Sequence, residues 1–96
     1  MNFNPQPKKA VKATKYEWAK IKKQAFKRDK YVCRLCNRVV FHPCPHHIIP
    51  KGRLRLDILE NILTLCWDCH RKLTDDLLDV SVDDLIDEHG LRHYLM

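Results

Sequence analysis

Three histidines and one asparagine are the residues of this sequence best suited to chemistry: His46, His47, Asn61 and His70. A neutral imidazole can bind a divalent cation, and near pH 7 it can also accept a proton from water. Phosphodiester hydrolysis needs both functions, because a base must activate water and a cation must neutralise the phosphate and the departing oxygen. His46 and His47 are consecutive, so in a regular strand they lie on opposite faces and cannot share one task. Each histidine taken alone is more often structural, so the hypothesis depends on the group.

Four of the five cysteines form two CxxC pairs, Cys33/Cys36 and Cys66/Cys69. Each CxxC turn directs two sulfur atoms to one point, so the pairs predict a closed tetrahedral Zn²⁺ site with a structural role. The 29 residues between the pairs exceed the usual zinc-ribbon gap, so a hairpin and a loop must lie between the two turns. A redox CxxC and plain buried cysteines are the alternatives. For Cys44 we expect a reduced thiol, with an alternative zinc ligand as the second interpretation.

The charge of the chain is unevenly distributed. Residues 1–30 carry ten Lys or Arg against two acids, whereas residues 75–96 carry one Arg against seven acids. Clustered basic residues displace counterions from nucleic acid, which predicts DNA as the partner; a solvated lysine face is the alternative. The sequence has no apolar run of about 18 residues and no apolar stretch behind its N-terminal lysines. We therefore expect a soluble cytoplasmic protein.

The N-terminal third of the chain predicts a flexible arm followed by a helix. Residues 1–13 contain two prolines and several lysines without a stable apolar period, which is typical of a flexible basic arm. A single domain is expected over residues 14–96, because a chain of 96 residues is too short for two. Thr14 and Glu17 have the spacing of a capping box, and apolar residues recur at helical intervals as far as Asp29.

The central region predicts a β-hairpin. Residues 39–41 are β-branched or aromatic and predict a strand, and residues 46–49 predict its partner. Residues 42–45 contain two prolines, which lack the N–H that a ladder needs, so they predict the hairpin loop. Trp18 and Trp67 are interpreted as core aromatics, because Trp18 lies on the apolar stripe of its helix and Trp67 stands in the second CxxC turn beside Leu65; base-stacking platforms are the alternative.

Two further helices are expected in the C-terminal third. The first follows the second CxxC pair and carries an apolar stripe of Leu73, Leu77 and Leu78. Ser81 has the features of an N-cap for the last helix, and Gly90 those of the residue that ends it.

The order and spacing of these residues resemble the HNH endonuclease family. The resemblance covers about residues 33–73 and rests on four segments: Cys33-x-x-Cys36, His46-His47-Ile48-Ile49-Pro50, Glu60-Asn61-Ile62 and Leu65-Cys66-x-x-Cys69-His70. It implies a small α+β domain, namely a ββα-metal (HNH) core stapled by a four-cysteine zinc, with an N-terminal helix and a C-terminal helix.

The resemblance also implies a role for each motif residue. His47 takes the place of the base that activates water, and His46 takes a metal-ligand place that many members fill with Asp. His70 takes the second ligand place, for a catalytic ion that would be Mg²⁺, Mn²⁺, Ni²⁺ or Zn²⁺. Asn61 either fixes the loop and orients the base or touches the metal. The chain departs from the family pattern in two places, since it lacks a Gly-Gly turn before Asn61 and has Leu73 where a further histidine can stand.

The function that the resemblance implies is metal-dependent hydrolysis of DNA phosphodiester bonds, by nicking or by double-strand cleavage. A catalytically inactive, zinc-stapled DNA-binding module is the alternative. Four basic residues flank the expected metal and are predicted to contact phosphates, with ordinary solvated charge as the other interpretation: Arg53, Arg55, Arg71 and Lys72. Cutting both strands would need a homodimer or two encounters, and phage or bacterial DNA-processing proteins are the expected partners.

Overall fold

The computed structural model describes residues 10–95. Its elements, in chain order, are helix α1 (Lys15–Arg28), strand β1 (Cys44–His47), strand β2 (Ile62–Leu65), helix α2 (Trp67–Thr74) and helix α3 (Val82–Glu88), with 3₁₀ turns at Leu59–Asn61 and Arg92–Leu95. The strands are antiparallel, with Cys44 opposite Leu65 and His47 opposite Ile62. A two-stranded sheet followed directly by a helix is the ββα arrangement, so the predicted α+β fold class is confirmed.

Helix α1 begins as the sequence predicts. The Thr14 hydroxyl accepts a hydrogen bond from the Glu17 N–H at 3.1 Å, and the Glu17 carboxylate accepts one from the Thr14 N–H at 2.8 Å. Before the helix, Val11 pairs with Leu56 in an isolated parallel bridge. Of the predicted flexible arm, residues 1–9 lie outside the described residues, whereas residues 11–13 lie against residues 55–57.

The predicted pairing of the hairpin is wrong. Val39 makes one isolated bridge with Val32, and the side chains of Val39 and Phe41 are 64% and 87% exposed. Cys44 and Pro45, which were predicted to lie in the hairpin loop, are the first two residues of β1. The partner of β1 is β2. Proline is tolerated there because β1 is an edge strand whose other side pairs with no strand in residues 10–95. All four residues of β2 are buried, so pairing with β2 removes more apolar surface from water than pairing with residues 39–41 would.

One apolar core holds the elements together. Its largest members are buried residues of β2, of helices α2 and α3 and of the loops between the elements: Ile48, Ile49, Leu56, Leu63, Leu65, Leu73, Leu85, Ile86 and Leu91. The predicted helical stripe is wrong beyond Leu73, because α2 ends at Thr74 and Asp76 adopts a φ of +58°, although Leu78 packs against the core from outside the helix. Leu77 is consequently outside the helix and 68% exposed.

Helix α3 has the predicted ends. Ser81 accepts from the Asp84 N–H at 3.0 Å as its N-cap, and Gly90 follows the helix with a φ of +67°, which glycine adopts without strain.

No helix in residues 10–95 combines the length and the hydrophobicity that a membrane span requires.

Candidate active site and metal centre

The four paired cysteines meet at one point. The Sγ atoms of Cys33, Cys36, Cys66 and Cys69 all lie within 4.8 Å of one another, and those of Cys36 and Cys66 are 3.8 Å apart. A tetrahedron with Zn–S bonds of about 2.3 Å has sulfur–sulfur edges of about 3.8 Å. The four thiols are therefore positioned to bind one metal ion, and their number and chemistry fit structural zinc.

Backbone geometry aims these sulfurs. The Cys33 N–H donates to the Arg38 carbonyl at 2.8 Å, which closes the first turn around Asn37 with its φ of +63°. In the second turn, Cys66 is the N-cap of α2, and its sulfur accepts from the Cys69 N–H at 3.3 Å. The metal centre consequently joins the loop after α1 to the first turn of α2.

The thiols of the cluster differ in acidity. Burial raises the pKa of Cys33, but hydrogen bonds from the backbone N–H groups of Cys36 and Cys66 outweigh it and lower that pKa to about 7. Burial raises the pKa of Cys36 and of Cys69, and hydrogen bonds among the sulfurs raise the pKa of Cys69 further. A bound cation would lower the pKa of all four thiols, because coordination deprotonates a thiol outright.

His46 and His70 come together on the face of β1 that contacts α2. Their ring centroids are 5.5 Å apart and the rings meet edge to face at 79°. The Nε2 atom of His46 is buried and has no hydrogen-bond partner. Burial lowers the pKa of His46, and the neighbouring charges of His70 and His47 lower it further, to about 4. His46 is therefore neutral near pH 7, which is the form that a metal ligand needs.

His47 lies on the opposite face of β1, against α1. Its Nε2 atom is 2.8 Å from Oδ1 of Asp57, and its ring stacks on Trp18 with centroids 5.2 Å apart and planes 21° apart. The side chain keeps 10% of its surface exposed. Burial lowers the pKa of His47 by more than Asp57 raises it. The structure thus brings His46 to His70 and separates both from the imidazole of His47 by the thickness of one strand.

Asn61 is buried at the end of the first 3₁₀ turn, with an exposed fraction of 0%. Its Oδ1 accepts from the Ile49 N–H at 2.8 Å, and its Nδ2 donates to the carbonyls of Leu56 and Ile49 at 3.0 and 3.3 Å. These contacts join the residues that follow β1 to the loop before β2.

Three of the four basic residues predicted to contact phosphates have acidic neighbours. Arg53 pairs with Asp83 of α3 at 3.1 Å, and Lys72 pairs with Asp68 one turn earlier in α2 at 3.2 Å. The Nε atom of Arg55 lies 3.1 Å from Oδ2 of Asp57, within the hydrogen-bond network of His47. Arg71 is exposed, and no residue in the range 10–95 forms an ion pair with it.

The two tryptophans do not behave as core residues. Trp67 is 63% exposed and stacks on His70, with ring centroids 6.2 Å apart, so the interpretation of Trp67 as a core aromatic is wrong. Trp18 is half-buried and covers His47. Sequence reasoning missed the contact of Trp67 with His70 and that of Trp18 with His47. It also missed Asp57, which the sequence marks only as an acidic residue four positions before Asn61.

Two cavities lie away from the paired imidazoles. One of about 310 Å³ separates α1 from residues 11–13, and another of about 310 Å³ lies near Arg28 and His89. Neither is lined by His46 or His70.

Comparison with known proteins agrees with this geometry. Residues 33–76 match the HNH endonuclease family. The chain is also similar to anaredoxin from Nostoc sp. (strain PCC 7120 / SAG 25.82 / UTEX 2576), with 31% identity over 67 residues that cover 70% of this chain and 88% of that protein. No solved structure gives a significant match.

The matched residues include both halves of the cysteine cluster, the two central histidines, Asn61 and His70. They also include the whole antiparallel sheet and helix α2. The chain therefore belongs to the HNH endonuclease family.

Proposed function

We propose that this chain is a metal-dependent endonuclease that hydrolyses DNA phosphodiester bonds. The observation that carries the proposal is the pair His46 and His70, because a buried imidazole nitrogen without a partner lies beside a second imidazole in an HNH domain. A buried acceptor left unpaired costs free energy, and a divalent cation would satisfy it.

His46 and His70 would hold the catalytic Mg²⁺, Mn²⁺, Ni²⁺ or Zn²⁺, which when bound stabilises charge on the phosphate and on the departing 3′ oxygen. In residues 10–95 the only group of three or more His, Cys, Asp or Glu side chains with metal-binding geometry is the cysteine cluster. With two imidazole ligands, most coordination positions remain for water and for phosphate oxygens.

His47 is the base that takes a proton from the attacking water, and Asn61 fixes the loop behind it. His47 and His46 occupy opposite faces of β1, so a phosphate must lie along the free edge of that strand to reach both. The four-cysteine zinc has no open position, so it stabilises the fold and takes no part in the chemistry. DNA is the proposed partner, attracted by the ten basic residues of positions 1–30.

Plasmid relaxation tests the proposal. The zinc-loaded chain should convert supercoiled plasmid to open circles when Mg²⁺, Mn²⁺, Ni²⁺ or Zn²⁺ is added, and His47→Ala should slow cutting by about 100-fold or more. His93→Ala, which removes an exposed histidine in the C-terminal 3₁₀ turn, is the matched control and should cut like the wild type.

Each other outcome has a meaning. Equal cutting by wild type and His47→Ala would remove His47 as the base. DNA binding without cutting, with every metal, would instead support the catalytically inactive, zinc-stapled DNA-binding module.

A further inference from the structure

The Asp57 carboxylate is the most heavily bonded acidic group next to the proposed base. It is 3% exposed, and its Oδ1 atom lies 2.8 Å from Nε2 of His47. Its Oδ2 atom accepts two hydrogen bonds, from the Ala13 N–H at 3.0 Å and from Nε of Arg55 at 3.1 Å. Asp57 lies within the residues that match the family but is not one of the motif residues on which the resemblance was based.

The ionisation state of Asp57 decides which nitrogen of His47 carries the proton. Burial raises the pKa of Asp57, but hydrogen bonds from Ala13, His47 and Arg55 outweigh it and hold that pKa below its ordinary value. An ionised carboxylate can only accept hydrogen bonds. The Nε2 atom of a neutral His47 must therefore carry the hydrogen, and Nδ1 must be the free acceptor.

The remaining contacts of His47 agree with this assignment. Nδ1 of His47 has no hydrogen-bond partner in residues 10–95. It is also not a buried unpaired atom, since Nε2 of His46 is the one such side-chain nitrogen or oxygen in that range. Nδ1 of His47 therefore reaches solvent. Trp18 stacks on the ring and restricts its rotation, with the Nζ atom of Lys22 5.8 Å from the Trp18 ring centre.

We propose that Asp57 is a positioning residue that fixes His47 in the tautomer protonated at Nε2, so that Nδ1 is the atom that accepts the proton of water. The inference rests on the proposed function, in which His47 is the base. Asp57 itself touches neither water nor phosphate in this scheme. It acts through His47 alone.

The substitution Asp57→Asn separates orientation from charge. Two donors, the Ala13 N–H and Arg55 Nε, converge on the Oδ2 position, so the amide oxygen of the asparagine must take that place. The amide NH₂ then faces Nε2 of His47 and donates to it. The proton of the imidazole must move to Nδ1, which leaves the base without a free nitrogen towards solvent.

Long-range ¹H–¹⁵N correlation spectra of the zinc-loaded chain, with ¹⁵N-labelled histidine at about pH 8, distinguish the two tautomers of a neutral ring. Wild type should show the Nε2–H pattern for His47, identified by its loss in His47→Ala. Asp57→Asn should show the Nδ1–H pattern and should lower kcat by about 100-fold, no more than His47→Ala does, with KM unchanged. Arg55→Ala is the control: it leaves Asp57 ionised against His47 and should keep the wild-type pattern.

Several results would overturn the inference. An Nδ1–H pattern in the wild type would do so whether or not any variant folds. An unchanged pattern in a folded, zinc-loaded Asp57→Asn chain would do so as well. If the wild type cuts no DNA, the proposed function fails, yet the spectra still decide whether Asp57 sets the tautomer.

Discussion

The side chain of Asn61 holds the backbone of Ile49 at both of its polar groups. Oδ1 of Asn61 accepts from the Ile49 N–H at 2.8 Å, and Nδ2 donates to the Ile49 carbonyl at 3.3 Å and to the Leu56 carbonyl at 3.0 Å. Both hydrogens of the amide are thereby used inside the protein. Oδ1, the amide atom that could bind a metal, already accepts the hydrogen bond from Ile49, and the side chain is 0% exposed. These contacts favour the loop-fixing role of Asn61 over the alternative in which it touches the metal.

The first prediction is that Asn61→Ala lowers the free energy of unfolding by about 3 kcal/mol, because it leaves one buried N–H and two buried carbonyls without partners. Urea unfolding of the zinc-loaded chain measures this. Gln24→Ala, at an exposed position of α1, should change the same quantity by less than about 0.5 kcal/mol. A loss in Asn61→Ala as small as that of the control would show that the loop does not depend on the amide.

Local patterns predicted the helix ends and the cysteine cluster. The capping residues Thr14 and Ser81 and the terminating Gly90 act within a few residues of sequence, so spacing alone identifies them. The two CxxC pairs are likewise local turns. A tetrahedral zinc site needs four thiolates, so both pairs are required to complete one site.

The strand pairing and the surroundings of His47 could not be predicted in this way. Residues 39–41 have better β-propensity than Cys44 and Pro45, yet the fully buried β2 decides which segment pairs. Asp57 and Trp18 reach His47 from 10 and 29 residues away in sequence, so no periodicity records those contacts. The sequence identifies the residue types of the site, and the tertiary packing determines their neighbours.

The second prediction concerns the cysteine cluster. Cys66→Ser should lose its zinc and its cooperative unfolding transition, because Cys66 provides both a sulfur ligand and the N-cap of α2. Metal analysis and circular dichroism measure the two effects. Cys44→Ser is the matched control: Cys44 lies in β1 outside the four-sulfur cluster and should keep one zinc per chain. If the Cys44 variant lost its zinc and the Cys66 variant kept it, Cys44 would be the zinc ligand and Cys66 would not.

The third prediction concerns acid stability. Burial raises the pKa of Asp29, but hydrogen bonds from Arg28 and Thr64 outweigh it, so the folded pKa lies below the ordinary value of 3.8. A lowered folded pKa stabilises the protein above that ordinary value, and the stabilisation is lost as the pH falls through the folded pKa. Asp29→Asn should therefore be less stable than wild type at pH 7, and the difference should shrink towards pH 2 when the two chains are compared at the same zinc content at each pH. A difference that stays constant over this range, in thermal unfolding at each pH, would show that the charge of Asp29 contributes nothing.

The fourth prediction separates two arginines that the sequence treats alike. Arg71 is exposed and has no ion pair in residues 10–95, whereas Arg55 is paired with the buried Asp57. Arg71→Ala should weaken DNA binding and should reduce the slope of log Kobs against log salt concentration by about 0.9, which is the loss of one phosphate contact. Arg55→Ala should leave that slope unchanged, because its guanidinium is already paired with the buried Asp57 carboxylate.

Fluorescence anisotropy with a short labelled duplex, in the His47→Ala background so that the DNA stays intact, measures both slopes. Zinc content checks that each variant is folded. If Arg55→Ala reduced the slope and Arg71→Ala did not, the phosphates would pass over the loop before β2 and not over α2. That would require the Arg55–Asp57 pair to open on binding, which would couple DNA contact directly to the hydrogen bond that orients His47.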